Sequence, residues 1–150
     1  MALVLQARRT VERWAAGLSV AAGAVHGVVA PAHFAEWWGY GLFFLFAATA
    51  QVVLGIALLS DAFNERDSGP GWWARRRAML WAGVLGNLMV MAFYVVTRTT
   101  GVPWFGPEAG VVEEVAPIDV VSKALEAGTV AALLLLLRER LPQPAAAPTA

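Results

Sequence analysis

Apolar residues gather into four long runs, at positions 11–30, 39–59, 78–97 and 118–137, separated by polar or turn-rich segments. About 20 apolar residues in a helix are enough to cross the hydrocarbon layer of a bilayer. The pattern therefore predicts four helices, each a candidate span.

None of the runs is uniformly apolar. The fourth opens with Asp119, Ser122, Lys123 and Glu126, spaced i, i+3, i+4, i+7, so all four fall on one helix face. The third carries Asn87, Met91, Tyr94 and Arg98 at steps of four, three and four. Gln51 and Gly55 share a face in the second. In the first, Ser19, Gly23 and His26 line up, with His33 added if the helix continues past Pro31. Four apolar rods with one polar stripe each are expected to turn the stripes inward. An ionisable residue within a membrane span is a functional-site candidate by default.

The connections differ in character. Residues 31–38 read as a short link holding His33 and Glu36, because proline tends to end a helix. Residues 60–77 read as a polar loop with Asp61, Asn64, Glu65, Arg66 and Asp67, then a Gly-Pro-Gly turn ending at Gly71. Trp72, Trp73 and Arg75, Arg76 and Arg77 look like an interfacial anchor. Residues 99–117 are broken by glycines and prolines, yet contain Trp104, Phe105, Val111 and Val112. Loops this long are usually functional or disordered. The apolar content favours a lid, or a partly re-entrant segment, that packs down. Residues 1–141 thus form one four-span bundle, followed by a Pro/Ala tail at 142–150 that is expected to be disordered. A small-residue motif at Ala30, Pro31 and Ala32 resembles a signal cleavage site. The long, glycine-rich, histidine-bearing first run favours its retention as a helix.

Composition strengthens the membrane reading. Hydrophobic residues make up 59% of the chain and charged residues 15%, and mean hydropathy is +0.60. Soluble domains carry about 25% charged residues. Net charge is zero, so no electrostatic footprint for nucleic acid exists. The absence of cysteine excludes disulfides, thiolate metal sites and cysteine nucleophiles. Arg8, Arg9, Arg13, Arg66, Arg75, Arg76, Arg77, Arg138 and Arg140 all fall on one side of a four-span bundle. The positive-inside rule makes that side cytoplasmic and predicts a plasma (inner) membrane protein with both termini inside. His33, Glu36 and the long acidic loop would face out.

Three readings of the polar interior follow. A metal site would draw on His26, His33, Glu36, Glu113 and Glu114. His33 and Glu36 have the i, i+3 spacing of ferritin-like metal pairs, and imidazole with carboxylate suits zinc, manganese or iron. A small-ligand pocket would draw on His26, Asn87, Arg98, Asp119, Lys123 and Glu126 beneath an aromatic mouth. A structural reading pairs the stripes with each other: Lys123 with Asp119 or Glu126, Arg98 with the loop acids, Gln51 with Asn87. On that reading the chain is an accessory or structural subunit, partnered by lipid and by other membrane subunits or copies of itself. No Ser-His-Asp signature, phosphate loop or HExxH motif is present.

One pattern resembles a known group. His26, His33-Phe34-x-Glu36, Trp38-Gly-Tyr-Gly-Leu-Phe-Phe44 and Gln51 are followed by Gly86-Asn87, Arg98-Thr-x-Gly101-x-Pro103 and Gly106-Pro107. Gly110, Glu113-Glu114, Asp119 and Glu126 complete it. This is similar to small bacterial four-span integral membrane proteins of unassigned activity. The resemblance covers residues 26–126 and implies the architecture, not a reaction.

Overall fold

The computed structural model describes residues 2–60 and 71–138. The acids and Arg66 of the polar loop, Glu139, Arg140 and the Pro/Ala tail lie outside the described residues. The described chain is all-helical: α1 (Ala2–Glu36), α2 (Trp38–Leu59), α3 (Trp72–Thr99) and α4 (Pro117–Arg138). Each helix is long and apolar enough to cross a membrane.

Two helices exceed their apolar runs. α1 does not end at Pro31 but continues to Glu36, so the expected link at 31–38 is helix almost throughout. Pro31 lacks the N–H that would bond the Gly27 carbonyl. The surrounding apolar residues sustain the helix across that one missing bond. The chain instead turns at Trp37, whose extended backbone (φ −165°, ψ 139°) is the whole connection to α2. Glycine makes so tight a turn feasible. A Cβ at Gly39 would overlap the Trp37 ring, and one at Gly41 the Phe34 ring. α3 starts at Trp72, so the tryptophan pair and Arg75, Arg76 and Arg77 form its first turns rather than a loop.

The helices pack in the cyclic order α2, α1, α4, α3, and α2 and α3 scarcely touch. The α1–α2 seam is closest. A Cβ at Gly23 would stand 2.8 Å from the Ala48 carbonyl oxygen, and one at Gly55 2.9 Å from that of Ala16. Ser19 Oγ donates to the Gln51 carbonyl across it at 2.7 Å. Small residues that let backbones approach, with a cross-helix hydrogen bond, are the glue of membrane bundles.

The bundle has two unlike ends. The terminal end holds the start of α1 and the close of α4. Its core is Ala15, Leu80, Val84, Ala132, Leu133 and Leu136, all buried. Below this core, Glu12 accepts from Arg8 at 3.3 Å and from Arg76. The loop end carries residues 100–116. Left-handed glycines at 101, 106 and 110 fold that loop back on itself (φ 67°, 85° and 80°). Gly110 N–H bonds the Val102 carbonyl, and Glu113 N–H bonds Thr97 at the end of α3. The expectation that the loop packs down holds for one aromatic. Phe105 sits edge-on to Trp37 with centroids 5.0 Å apart, and its carbonyl accepts from Tyr40 Oη at 3.0 Å. Trp104, Val111 and Val112 stay at least half exposed.

Candidate functional site

α4 begins with proline at its first position, which needs no partner there. Asp119 then accepts the Ala116 N–H at 3.0 Å, the reciprocal half of a capping box. This cap fixes the register in which Ser122, Lys123 and Glu126 face the bundle interior.

Glu126 is the centre of the site and is fully buried. His26 Nε2 of α1 donates to its Oε1 at 2.7 Å, and Ser122 Oγ donates to the same oxygen at 3.2 Å. The Lys123 ammonium stands 2.6 Å from Oε2 as an ionic contact outside hydrogen-bond geometry. The sharing of Oε1 puts the histidine proton on Nε2. His26 Nδ1 is left buried without a partner.

A second cluster lies nearer the loop. Arg98 donates to Asp119 at 2.9 Å and also to Glu113, tying α3 to α4 and to the loop. Its guanidinium lies 5.1 Å from the Tyr94 ring centre, and Lys123 Nζ lies 5.3 Å from it. Tyr94 therefore offers its π-face to both cations.

Both clusters border a cavity of about 80 Å³, partly open to the surroundings. Its inner wall includes His26, Ser122 and Lys123; its outer part reaches Glu108 and Val111 of the loop. The remaining wall is mostly apolar and aromatic, with Val25, Val29, Phe43, Phe44, Val90 and Phe93.

Of the residues expected to gather, His26, Arg98, Asp119, Lys123 and Glu126 do, although Glu126 stands behind the cavity wall. Asn87 does not. It lies deeper, accepting from Gln51 Nε2 at 3.1 Å and donating to the Gly83 carbonyl at 2.8 Å. The five residues expected to bind metal are dispersed. His33 bonds Glu36 at 2.9 Å on the exposed last turn of α1, Glu113 is taken by Arg98, and Glu114 is exposed. Phe44 lies between the two histidines, stacked on His33 at 4.0 Å and tilted to His26 at 5.5 Å. Among the described residues no group of three or more His, Asp or Glu side chains is placed to hold a metal ion. The physical reason is that Lys123 and Arg98 already occupy the carboxylates a cation would need.

Two aromatic parts of the site, and one contact at the opposite end of the bundle, were not legible in the sequence. Phe43 and Phe44 read as packing, and Phe93 carried no signal beyond its apolarity. The Glu12–Arg76 clamp went unseen because its partners are 64 residues apart.

Compared with protein-family models, with curated proteins and with solved structures, the chain matches none. What it does must be argued from the site itself.

Proposed function

We propose that the chain is an integral membrane protein that binds a small molecule in the cavity beneath residues 100–116. One observation carries this reading: a buried His–Glu–Lys cluster borders an aromatic-walled cavity that reaches from Lys123 to the loop. Ionisable groups inside a membrane bundle are costly, and a cluster of them against a cavity favours an occupant. Membrane insertion is supported by the outer surface, where Val28, Phe46, Val53, Ile56, Leu85 and Met89 are each more than half exposed. So much exposed apolar surface is foreign to a soluble monomer. The arginine distribution favours a plasma membrane topology with both termini in the cytoplasm and the cavity towards the outer face.

Mass spectrometry of the intact protein in mild detergent tests the reading. A one-to-one small-molecule adduct is expected after extraction from the native membrane. Val29→Trp, which fills the cavity while leaving every ion pair in place, should lack it. An adduct equally present in Val29→Trp, or none in either protein, defeats the proposal. Topology is tested separately. The natural chain has no cysteine, so Glu108→Cys carries a single thiol. It should react with an impermeant maleimide added outside intact cells; protection there reverses the orientation.

A second reading has its own support. Lys123 pairs with Glu126, Arg98 with Asp119 and Glu113, and Gln51 with Asn87. On that basis the chain is an accessory or structural subunit of a membrane assembly, its stripes serving cohesion.

A further inference from the structure

The cavity holds its own counter-charges. Lys123 faces Glu126, and Arg98 is held by Asp119 and Glu113. In the inner part of the cavity a charged ligand must displace a resident ion from its partner and strand a buried charge, which is strongly unfavourable. An uncharged ligand meets no such penalty. What remains open is hydrogen bonding. The Lys123 ammonium carries three donors, more than its contact with Glu126 can use, and His26 Nδ1 is unpartnered. An oxygen on the ligand can accept a hydrogen bond from Lys123 without disturbing the ion pair. Phe43, Phe44 and Phe93 offer flat ring surface beside it.

The seam between α2 and α3 suggests the route. These helices scarcely touch. Deep in the bundle the Gln51–Asn87 hydrogen bond closes the seam. Nearer the loop it is closed by the Phe43 and Phe93 rings, 4.8 Å apart at a tilt of 38°. Both rings line the cavity and both are partly exposed on the bundle surface. Rotation of two side chains would join the cavity to the lipid that surrounds a membrane bundle.

We propose, on the basis of the ligand-binding reading above, that the occupant is an uncharged, lipid-soluble molecule with a planar carbonyl-bearing ring, admitted sideways between α2 and α3 past Phe43 and Phe93. The carbonyl accepts from Lys123, and the ring lies against the phenylalanines.

The test presents three probes separately to the full chain in detergent and follows adducts by mass spectrometry. Menadione is uncharged and carries a carbonyl-bearing double ring; with no cysteine in the chain it has no thiol to alkylate. Decanoate is the anionic probe and decyltrimethylammonium the cationic one. Menadione should form a saturable one-to-one complex, weakened at least tenfold by Lys123→Met and abolished by Val29→Trp. Phe93→Ala should speed its release at least threefold. Saturable binding of either charged probe in preference to menadione overturns this inference and leaves the binding reading standing. No saturable binding of any probe overturns both. Should Lys123→Met fail to fold, Val29→Trp still decides whether menadione sits in the cavity, and undiminished binding there refutes the placement. An unchanged release rate in Phe93→Ala refutes the sideways route.

Discussion

The two ends of the bundle solve the same packing problem with opposite chemistry. At the terminal end α1, α3 and α4 meet through Ala15, Leu80, Val84, Leu133 and Leu136, all close to fully buried. At the loop end the same three helices meet through His26, Arg98, Asp119, Ser122, Lys123 and Glu126, around a cavity. Against lipid, apolar packing gains little from excluding water, so the terminal core is held by shape and close contact. The loop end is held by pairing instead, and burying ions gives less stability than apolar residues of the same volume. A chain that needed cohesion alone could have used leucine at both ends. The terminal end keeps one ion clamp, of Glu12 with Arg8 and Arg76; the larger share of the costly solution lies at the end with empty space, which is where a ligand would use it.

The largest expected effect breaks the loop end. Glu126→Ala leaves Lys123 and His26 buried without their acid, and loss of one partner from a buried pair costs about 3–5 kcal/mol. Unfolding in a denaturing detergent should show that loss. The informative companion replaces the cluster together, as His26→Phe, Lys123→Leu and Glu126→Leu. Stability should return to within about 1 kcal/mol of the natural chain, or exceed it, because well-packed apolar residues replace buried ion pairs without penalty. Binding of a small molecule should not return. If the triple variant stays as unstable as Glu126→Ala, ionic pairing is what holds this end together and the contrast between the ends fails.

Next in size is Leu133→Ala at the terminal end, a fully buried side chain. Truncation leaves a void and should cost about 2–4 kcal/mol. Ligand binding should be unchanged apart from the general loss of stability, since the cavity lies at the other end. A comparable loss of affinity per molecule that remains folded would show that the ends are coupled. Gly55→Ala should follow, at about 1–3 kcal/mol, because its Cβ would press on the Ala16 carbonyl oxygen and the Val20 side chain. A melting temperature equal to that of the natural chain would mean that the α1–α2 seam opens without strain.

These residues also mark what was legible in the sequence. The four helices were, because apolar run length is set by the chain alone. So was the stripe on α4, whose i, i+3, i+4, i+7 spacing fixes a common face wherever the helix sits. The ending of α1 was not. Proline signals a break, but Gly39 and Gly41 allow the chain to turn only at Trp37, and that depends on where two aromatic rings fit. The pairing of Lys123 with Glu126 was available from spacing. The meeting of His26 with Glu126, 100 residues apart, was not, since periodicity orders residues around a helix without saying which helices are neighbours. The cavity was equally hidden, because Phe43 and Phe93 look alike whether they fill space or border it.

The smallest expected effect separates two histidines that the sequence treated alike. His33 and Glu36 form an i, i+3 pair with side chains 25% and 48% exposed, whereas the His26 and Glu126 side chains are 4% and 0% exposed. An exposed pair is screened by water and salt and must order two side chains, so it contributes under about 0.5 kcal/mol. Glu36→Gln should therefore leave the unfolding midpoint within error of the natural chain at both low and high salt. His26→Leu, which removes the donor facing Glu126, should lower it clearly at both, because salt cannot reach a pair shut off from solvent. If Glu36→Gln proved the more damaging, the last turn of α1, where His33 already lines the cavity, would be a working part of the site rather than its rim.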